Sequence, residues 1–211
     1  MQEQFRRRRL PHWDYPGATY FVTSCLAGSI PAQGLAKIRE LREQLLSNRP
    51  QDCSLEWKEY VWKKTFVEQE NWLDTQAAVR HLERPELADI VARSLNYFHQ
   101  SRYELIAFVV MPSHFHWLFR PLAPWSSTLG KNKSPREVIM QSIKSYTAHE
   151  CNAVLGRAGV FWQDESYDHC VRDEDELERI FDYIELNPVK AGLCPTRQAW
   201  PYSSAYDRKS C

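Results

Sequence analysis

Two histidines separated by one residue, His114 and His116, lie in an otherwise apolar stretch, Val109-Val110-Met111-Pro112-Ser113-His114-Phe115-His116-Trp117-Leu118-Phe119. In a strand, successive side chains alternate faces, so the two imidazoles share one face while Phe115 and Trp117 take the other. Two imidazoles side by side can chelate a cation; an isolated pair of this kind can equally be two hydrogen-bonded histidines of a partly buried strand. Pro112 and Ser113 put the pair at the start of its strand, where a site can open to solvent. Tyr183 and Asn187 form a second pair, four residues apart in a helical pattern and so one above the other on a single face. A tyrosine can attack a phosphate that a metal polarises, and the amide oxygen of Asn187 can add a third ligand to two imidazoles. Taken alone, these two residues read as a packing tyrosine and an asparagine that ends a helix ahead of Pro188. The chemistry requires that helix and histidine strand face each other.

The elements that would position these groups follow along the chain. Residues 1–16 read as a basic N-terminal arm and 17–211 as a single domain. The β-branched and aromatic run over 18–26 predicts the first strand. Residues 33–46 carry Leu35, Ile38, Leu41, Leu45 and Leu46 at helical spacing, ended before Pro50. A second helix over 55–73 interleaves Trp57, Val61 and Phe66 with charges, and Pro85 opens a third that runs to about residue 100. Strands over 103–111 and 113–120 are separated only by Pro112 and its neighbours, which predicts a hairpin or sharp bend. After a basic loop, Pro135 starts a helix through 155, with Val138, Ile139, Ile143, Tyr146 and Thr147 inward and Lys144 outward. Residues 160–163 are a short strand candidate. Asp173, with Glu176 three residues on, caps a helix that ends at Asn187, and residues 200–204 close the fold as an aromatic clip.

With 211 residues, 43% hydrophobic and 26% charged, the chain can bury one good core. No run of about 18 apolar residues exists, and the arginine-rich start is not followed by a hydrophobic region, so neither a membrane span nor a secretory signal is expected. The expected setting is the cytoplasm. Cys25, Cys53, Cys151, Cys170, Cys194 and Cys211 are scattered without a Cys-x-x-Cys pair, which argues against a zinc ribbon or a disulfide framework. The 27 basic and 27 acidic residues balance to a formal charge of zero, yet the cations are bunched. Arg6, Arg7, Arg8 and Arg9 form a tetrad, and Arg120, Lys131, Lys133, Arg136 and Lys144 follow the histidine strand. Such runs are often solvated surface; beside a metal site they suit a phosphate backbone.

Taken in order, the motifs resemble those of the single-tyrosine transposases of the HUH superfamily, most of all their REP-associated, IS200-like branch. The resemblance runs through Tyr20-Phe21-Val22-Thr23, Leu26-Ala27-Gly28-Ser29, the stretch from Val109 to His116, and Gly159-Val160-Phe161-Trp162-Gln163. It continues through Tyr183-Ile184-Glu185-Leu186-Asn187-Pro188-Val189-Lys190-Ala191-Gly192-Leu193 to Trp200-Pro201-Tyr202-Ser203-Ser204. It implies that His114, His116 and Asn187 bind Mg²⁺ or Mn²⁺, and that Tyr183 is the nucleophile toward single-stranded, hairpin-bearing DNA, leaving a 5′-phosphotyrosine and a free 3′-hydroxyl. Ser113 stands where the family usually has Asn; its hydroxyl can still hold a tight turn. Arg6 to Arg9 are candidates for an arm along phosphates, Lys131, Lys133, Arg136 and Lys144 for lining the approach, and Lys190 for steadying a phosphate. His169 reads as a surface histidine.

The expected fold is α+β, a central antiparallel sheet flanked by helices, similar to the ferredoxin-like palm of HUH enzymes. The expected partner is single-stranded or hairpin DNA, with no membrane and with the protein as monomer or homodimer. Two other readings stand beside the transposase: a domesticated hairpin-DNA binding protein without strand transfer, and a metal-dependent phosphodiesterase that activates water.

Overall fold

The computed structural model describes residues 4–7, 11–14, 17–48, 55–130, 133–164 and 166–207. In chain order the elements are β1 (Gln4–Arg7), β2 (Pro11–Asp14), β3 (Tyr20–Cys25), α1 (Ala32–Ser47), α2 (Leu55–Thr75), α3 (Pro85–Tyr97), β4 (Tyr103–Val110) and β5 (His114–Pro121). Then follow α4 (Ala123–Ser126), α5 (Pro135–Val154), β6 (Tyr167–Cys170), α6 (Glu174–Lys190) and α7 (Ser204–Asp207). Four strands form one antiparallel sheet in the order β4-β5-β3-β6, while β1 and β2 pair separately as a small hairpin ahead of it. With α3 leading into β4 and α5 into β6, the path is β-α-β-β-α-β with ferredoxin-like strand order. Helices α1, α2 and α6 are additions to that frame.

Period-two alternation divides the sheet's side chains between two faces. On one, Phe115, Trp117 and Phe119 join Val22, Phe108 and Val110 in a core closed by α3 and α5, through Leu87, Val91 and Leu95 and through Ile139 and Ile143. On the other, Phe21, Val109 and Leu118 pack with Ile184 of α6, and Phe66 of α2 borders them. A bulge at Ile106 shifts β4 by one residue, so that Tyr103 and Phe108 both reach the first face despite their odd spacing. Pro112 and Ser113 make the bend between β4 and β5, as expected, with Met111 N–H donating to His114 C=O at 2.8 Å. The C-terminal aromatic residues dock on the end of β4, where Trp200 Nε1 donates to Val110 C=O at 2.9 Å and Val110 N–H to Tyr202 C=O at 2.8 Å. Helix α1 lies against α2 so closely that a Cβ added at Gly34 would sit 2.8 Å from the Trp72 ring.

Several sequence expectations are corrected. Residues 160–163 make only an isolated bridge between Leu26 and Trp162, because they meet the chain where β3 ends at Cys25, with Ala27 N–H on Phe161 C=O at 2.9 Å and Gln163 N–H on Cys25 C=O at 2.8 Å. The fourth strand is Tyr167–Cys170 instead, paired with β3. Helix α3 stops at Tyr97, where the chain turns through Gln100 at φ 61. Tyr146 is 56% exposed rather than inward. Helix α6 does not end before Pro188 but continues to Lys190. A proline removes only one intrahelical donor, and Gly192, at φ 70, closes the helix with its N–H on Val189 C=O at 3.0 Å. Asn187 is therefore a buried residue of the helix body. Among the described residues no helix is long and apolar enough to cross a membrane.

Candidate active site

His114 and His116 open β5, side by side on the face toward α2 and α6, and both are fully buried. A hydroxyl holds each ring from behind: Ser113 Oγ lies 3.0 Å from His114 Nδ1, and Thr23 Oγ1, across the ladder on β3, lies 2.8 Å from His116 Nδ1. Ser113 Oγ donates to Leu73 C=O at 3.2 Å, so toward His114 it accepts, and the ring proton sits on Nδ1. Ser113 thus ties its imidazole to α2, a different use of the hydroxyl from the local turn expected of it. The two Nε2 atoms face each other at 3.1 Å. Two ligands each ~2.1 Å from one ion at right angles stand ~3.0 Å apart, so this spacing fits a shared cation.

Glu70 of α2 completes the group, with Oε2 at 2.9 Å from His116 Nε2 and 3.8 Å from His114 Nε2. Glu70, His114 and His116 together can hold a metal ion. A buried carboxylate against two inward imidazole nitrogens calls for positive charge between them. Burial would raise the Glu70 carboxyl, but the His116 and His114 rings, with hydrogen bonds from His116 and Tyr183, outweigh it and hold the group below its ordinary value. Burial pushes His114 down to about 3, against the pull of Glu70, so its imidazole is neutral and ready to ligate. One turn on, Asp74 is raised to about 6 by burial and by the Glu70 charge.

Tyr183 and Asn187 come to the same site from α6. The Tyr183 hydroxyl donates to Glu70 Oε2 at 2.5 Å and lies 3.5 Å from His116 Nε2. Burial, then the Glu70 charge and hydrogen bond, hold this phenol well above its ordinary value. Asn187 Nδ2 lies 3.3 Å from His116 Nε2, while its buried Oδ1 has no hydrogen-bond partner. The two amide atoms exchange by a half-turn, which would aim the orphaned oxygen at the imidazoles. The four residues chosen from the sequence for the catalytic centre therefore lie together. Glu70 was missed, although Trp62, Phe66 and Glu70 recur every four residues. A carboxylate in phase with an aromatic stripe was the available signal.

The cations divide. Lys190 is exposed, with Nζ 5.5 Å over the Tyr183 ring, and Lys133 is exposed on the loop before α5. Arg136, expected along the approach, is instead 4% exposed and pairs with Asp168 at 3.0 Å. Lys144 turns its Nζ onto Gln163 C=O at 2.6 Å and Asp164 C=O at 3.2 Å, pinning the segment before β6. Arg8, Arg9 and Lys131 lie outside the described residues, as do the side chains of Arg6 and Arg7, whose backbone forms β1. His169 is not a surface residue: its Nε2 lies 3.0 Å from Glu176 and its ring 5.0 Å from that of Trp62. Cys25, Cys151, Cys170 and Cys194 are free thiols, and Cys53 and Cys211 lie outside the described residues.

No family model matches the chain. It is similar to a putative REP-associated tyrosine transposase of Haemophilus influenzae, 29% identical over 111 residues, which covers 48% of this chain and 58% of the relative. It is also similar to the REP-associated tyrosine transposase of Escherichia coli, 28% identical over 102 residues, covering 48% and 54%. The chain thus spans little more than half the length of these curated relatives. A solved structure of a REP-associated tyrosine transposase bound to a REP hairpin aligns with 99% of this chain and 86% of that one, at 17% identity and a TM-score of 0.48.

Proposed function

We propose that this protein is a single-tyrosine transposase that nicks and rejoins single-stranded, hairpin-bearing DNA. The Tyr183 oxygen attacks the scissile phosphate, the bond to the 3′ oxygen breaks, and a 5′-phosphotyrosine forms as the 3′ end leaves as a hydroxyl. A returning 3′-hydroxyl reverses the step and joins strands. Glu70 Oε2, already accepting the phenol's hydrogen bond, is the nearest acceptor for its proton. His114, His116 and Asn187 would hold Mg²⁺ or Mn²⁺ with Glu70 beside them, since the mixture of imidazole, amide and carboxylate suits such ions. When bound, the ion supplies charge to the phosphate oxygens. Lys190 stands where a phosphate near Tyr183 would pass, and Arg6 to Arg9, Lys131 and Lys133 are the further candidates for the backbone. Arg136 and Lys144 act on the DNA only indirectly in this reading, through the β6 segment. The setting is cytoplasmic, with the protein as monomer or homodimer.

One observation carries the reading: the Tyr183 hydroxyl lies 3.5 Å from His116 Nε2, in the same buried group as two facing imidazoles and a carboxylate. Binding a hairpin needs no such arrangement. Glu70 favours a second reading, in which the carboxylate orients a water and the protein hydrolyses phosphodiesters. A denaturing gel with Mn²⁺ and end-labelled hairpin oligonucleotides from the gene's flanks separates the two. Label retained on the denatured protein, lost in Tyr183→Phe and in His114→Ala, supports the transposase. Cleavage that persists in Tyr183→Phe without an adduct supports hydrolysis, and tight binding with no cleavage supports a binding protein alone.

A further inference from the structure

Beside the catalytic group a cavity of about 210 Å³ opens between α2, β6 and α6. Phe21, Phe66, Tyr167 and Tyr183 form its floor and walls, and Trp62, Ile180 and the charged residues Lys63, Arg179 and Glu176 surround them. The aromatic walls are fixed by one another. Tyr167 is stacked between Trp62 and Phe66, with ring centroids 3.7 and 3.9 Å away, and Phe21 meets Phe66 and Tyr183 edge-on at 5.8 and 5.9 Å. Glu176 is 4% exposed and held by Arg172 at 2.8 Å, by His169 at 3.0 Å and by Lys63 at 3.8 Å. Its charge is thus answered from within the protein, leaving the character of the space aromatic and its charged rim more basic than acidic.

The Tyr183 ring is a wall of this cavity, while its hydroxyl belongs to the catalytic group. Whatever fills the cavity is therefore adjacent to whatever reacts at that hydroxyl. On the reading that a single strand of DNA reacts there, we infer that the cavity takes one unstacked base of the strand, from a nucleotide flanking the attacked phosphate. Tyr167 has both faces covered by Trp62 and Phe66, so a base lies against the rest of the aromatic lining, which accepts a base of any identity. The exposed Arg179 suits the phosphate that follows it. The site would hold the strand in register while discriminating little between bases.

The test uses the full chain and a hairpin oligonucleotide with a thymidine arm across the cleaved bond, made as a series with one abasic nucleotide at each arm position. Binding is measured for wild type, for Ile180→Trp, which fills the cavity, and for Phe66→Ala, which removes a wall; melting curves check that each variant folds. The expected result is one arm position whose abasic form binds wild type about tenfold more weakly, and whose loss adds nothing in either variant. 2-Aminopurine at that position should be quenched by wild type and not by Ile180→Trp. DNA that is bound and captured by Tyr183 with no position responding to the variants overturns the base site and leaves the transposase reading intact. Absence of both binding and adduct with any single strand overturns that reading, and the base site with it.

Discussion

The two faces of the sheet are made by alternate residues of the same strands, yet they differ in kind. Behind β5, Phe115, Trp117 and Phe119 meet α3 and α5 in a mainly apolar core, in which the buried Trp117 indole nitrogen has no hydrogen-bond partner. In front, His114 and His116 share the space under α2 and α6 with Glu70, Tyr183 and Asn187, and Asn187 Oδ1 and Glu70 Oε1 remain unpartnered. The rear face matches the burial a fold needs, each large side chain contributing about 1.5–3 kcal/mol. The front face keeps polar groups that burial alone makes costly. The difference teaches that the helices added to the ferredoxin-like frame, rather than those within it, bring the polar side chains to the two histidines.

Substitutions on either side should separate accordingly. Tyr183→Phe has the largest expected effect on chemistry, abolishing the protein–DNA adduct on a denaturing gel while the circular-dichroism spectrum stays that of wild type. Trp117→Ala, on the opposite face, should cost about 3–5 kcal/mol and lower the melting temperature by about 10 °C, yet leave added Mn²⁺ still stabilising. Should that metal effect vanish as well, the two faces are not separable. Thr23→Val removes the hydroxyl behind His116, and titration calorimetry should find Mn²⁺ bound ~10–100-fold more weakly, while the metal-free protein loses about 1–3 kcal/mol for the ring nitrogen left unpaired.

The smallest effect belongs to acid. Burial would raise the Glu176 carboxyl, but hydrogen bonds from Arg172 and His169 bring it from the ordinary 4.5 down to about 2. Between those values the unfolded chain takes up a proton that the folded one refuses. The stability this group contributes is whole above about pH 4.5 and is lost as pH falls through about 2. Denaturant melts across that range should have a shallower acid limb in Glu176→Gln; an unchanged slope would show that the network is not what acid attacks.

The histidine strand was legible because its period and the Pro112-Ser113 bend are local signals, and the Tyr183–Asn187 pair because helical spacing alone stacks them. Glu70 was not, since on a helix crowded with charges one acidic residue looks like its neighbours until the packed face is known. Tyr-Asp-His-Cys carries no strand pattern, and β6 exists because β3 offers it an edge over long range. Residues 160–163 failed in the opposite direction, being β-like in composition but meeting the chain only at Leu26, just past the end of β3. Pro188 misled because one missing donor in a final turn is tolerated, so the stop lies at Gly192.

Gly34 has a reach its size conceals. No site residue touches it, but it lets α1 come to rest on Trp72, two residues beyond Glu70 in α2. It is a shim: its thinness lets α1 close onto the Trp72 ring and Ile30, against the helix that carries Glu70. A single methyl there, which helical propensity would otherwise favour, must either displace the Trp72 ring or lift the helix. The helix that brings Glu70 to the site is thus packed against one that contributes nothing to it.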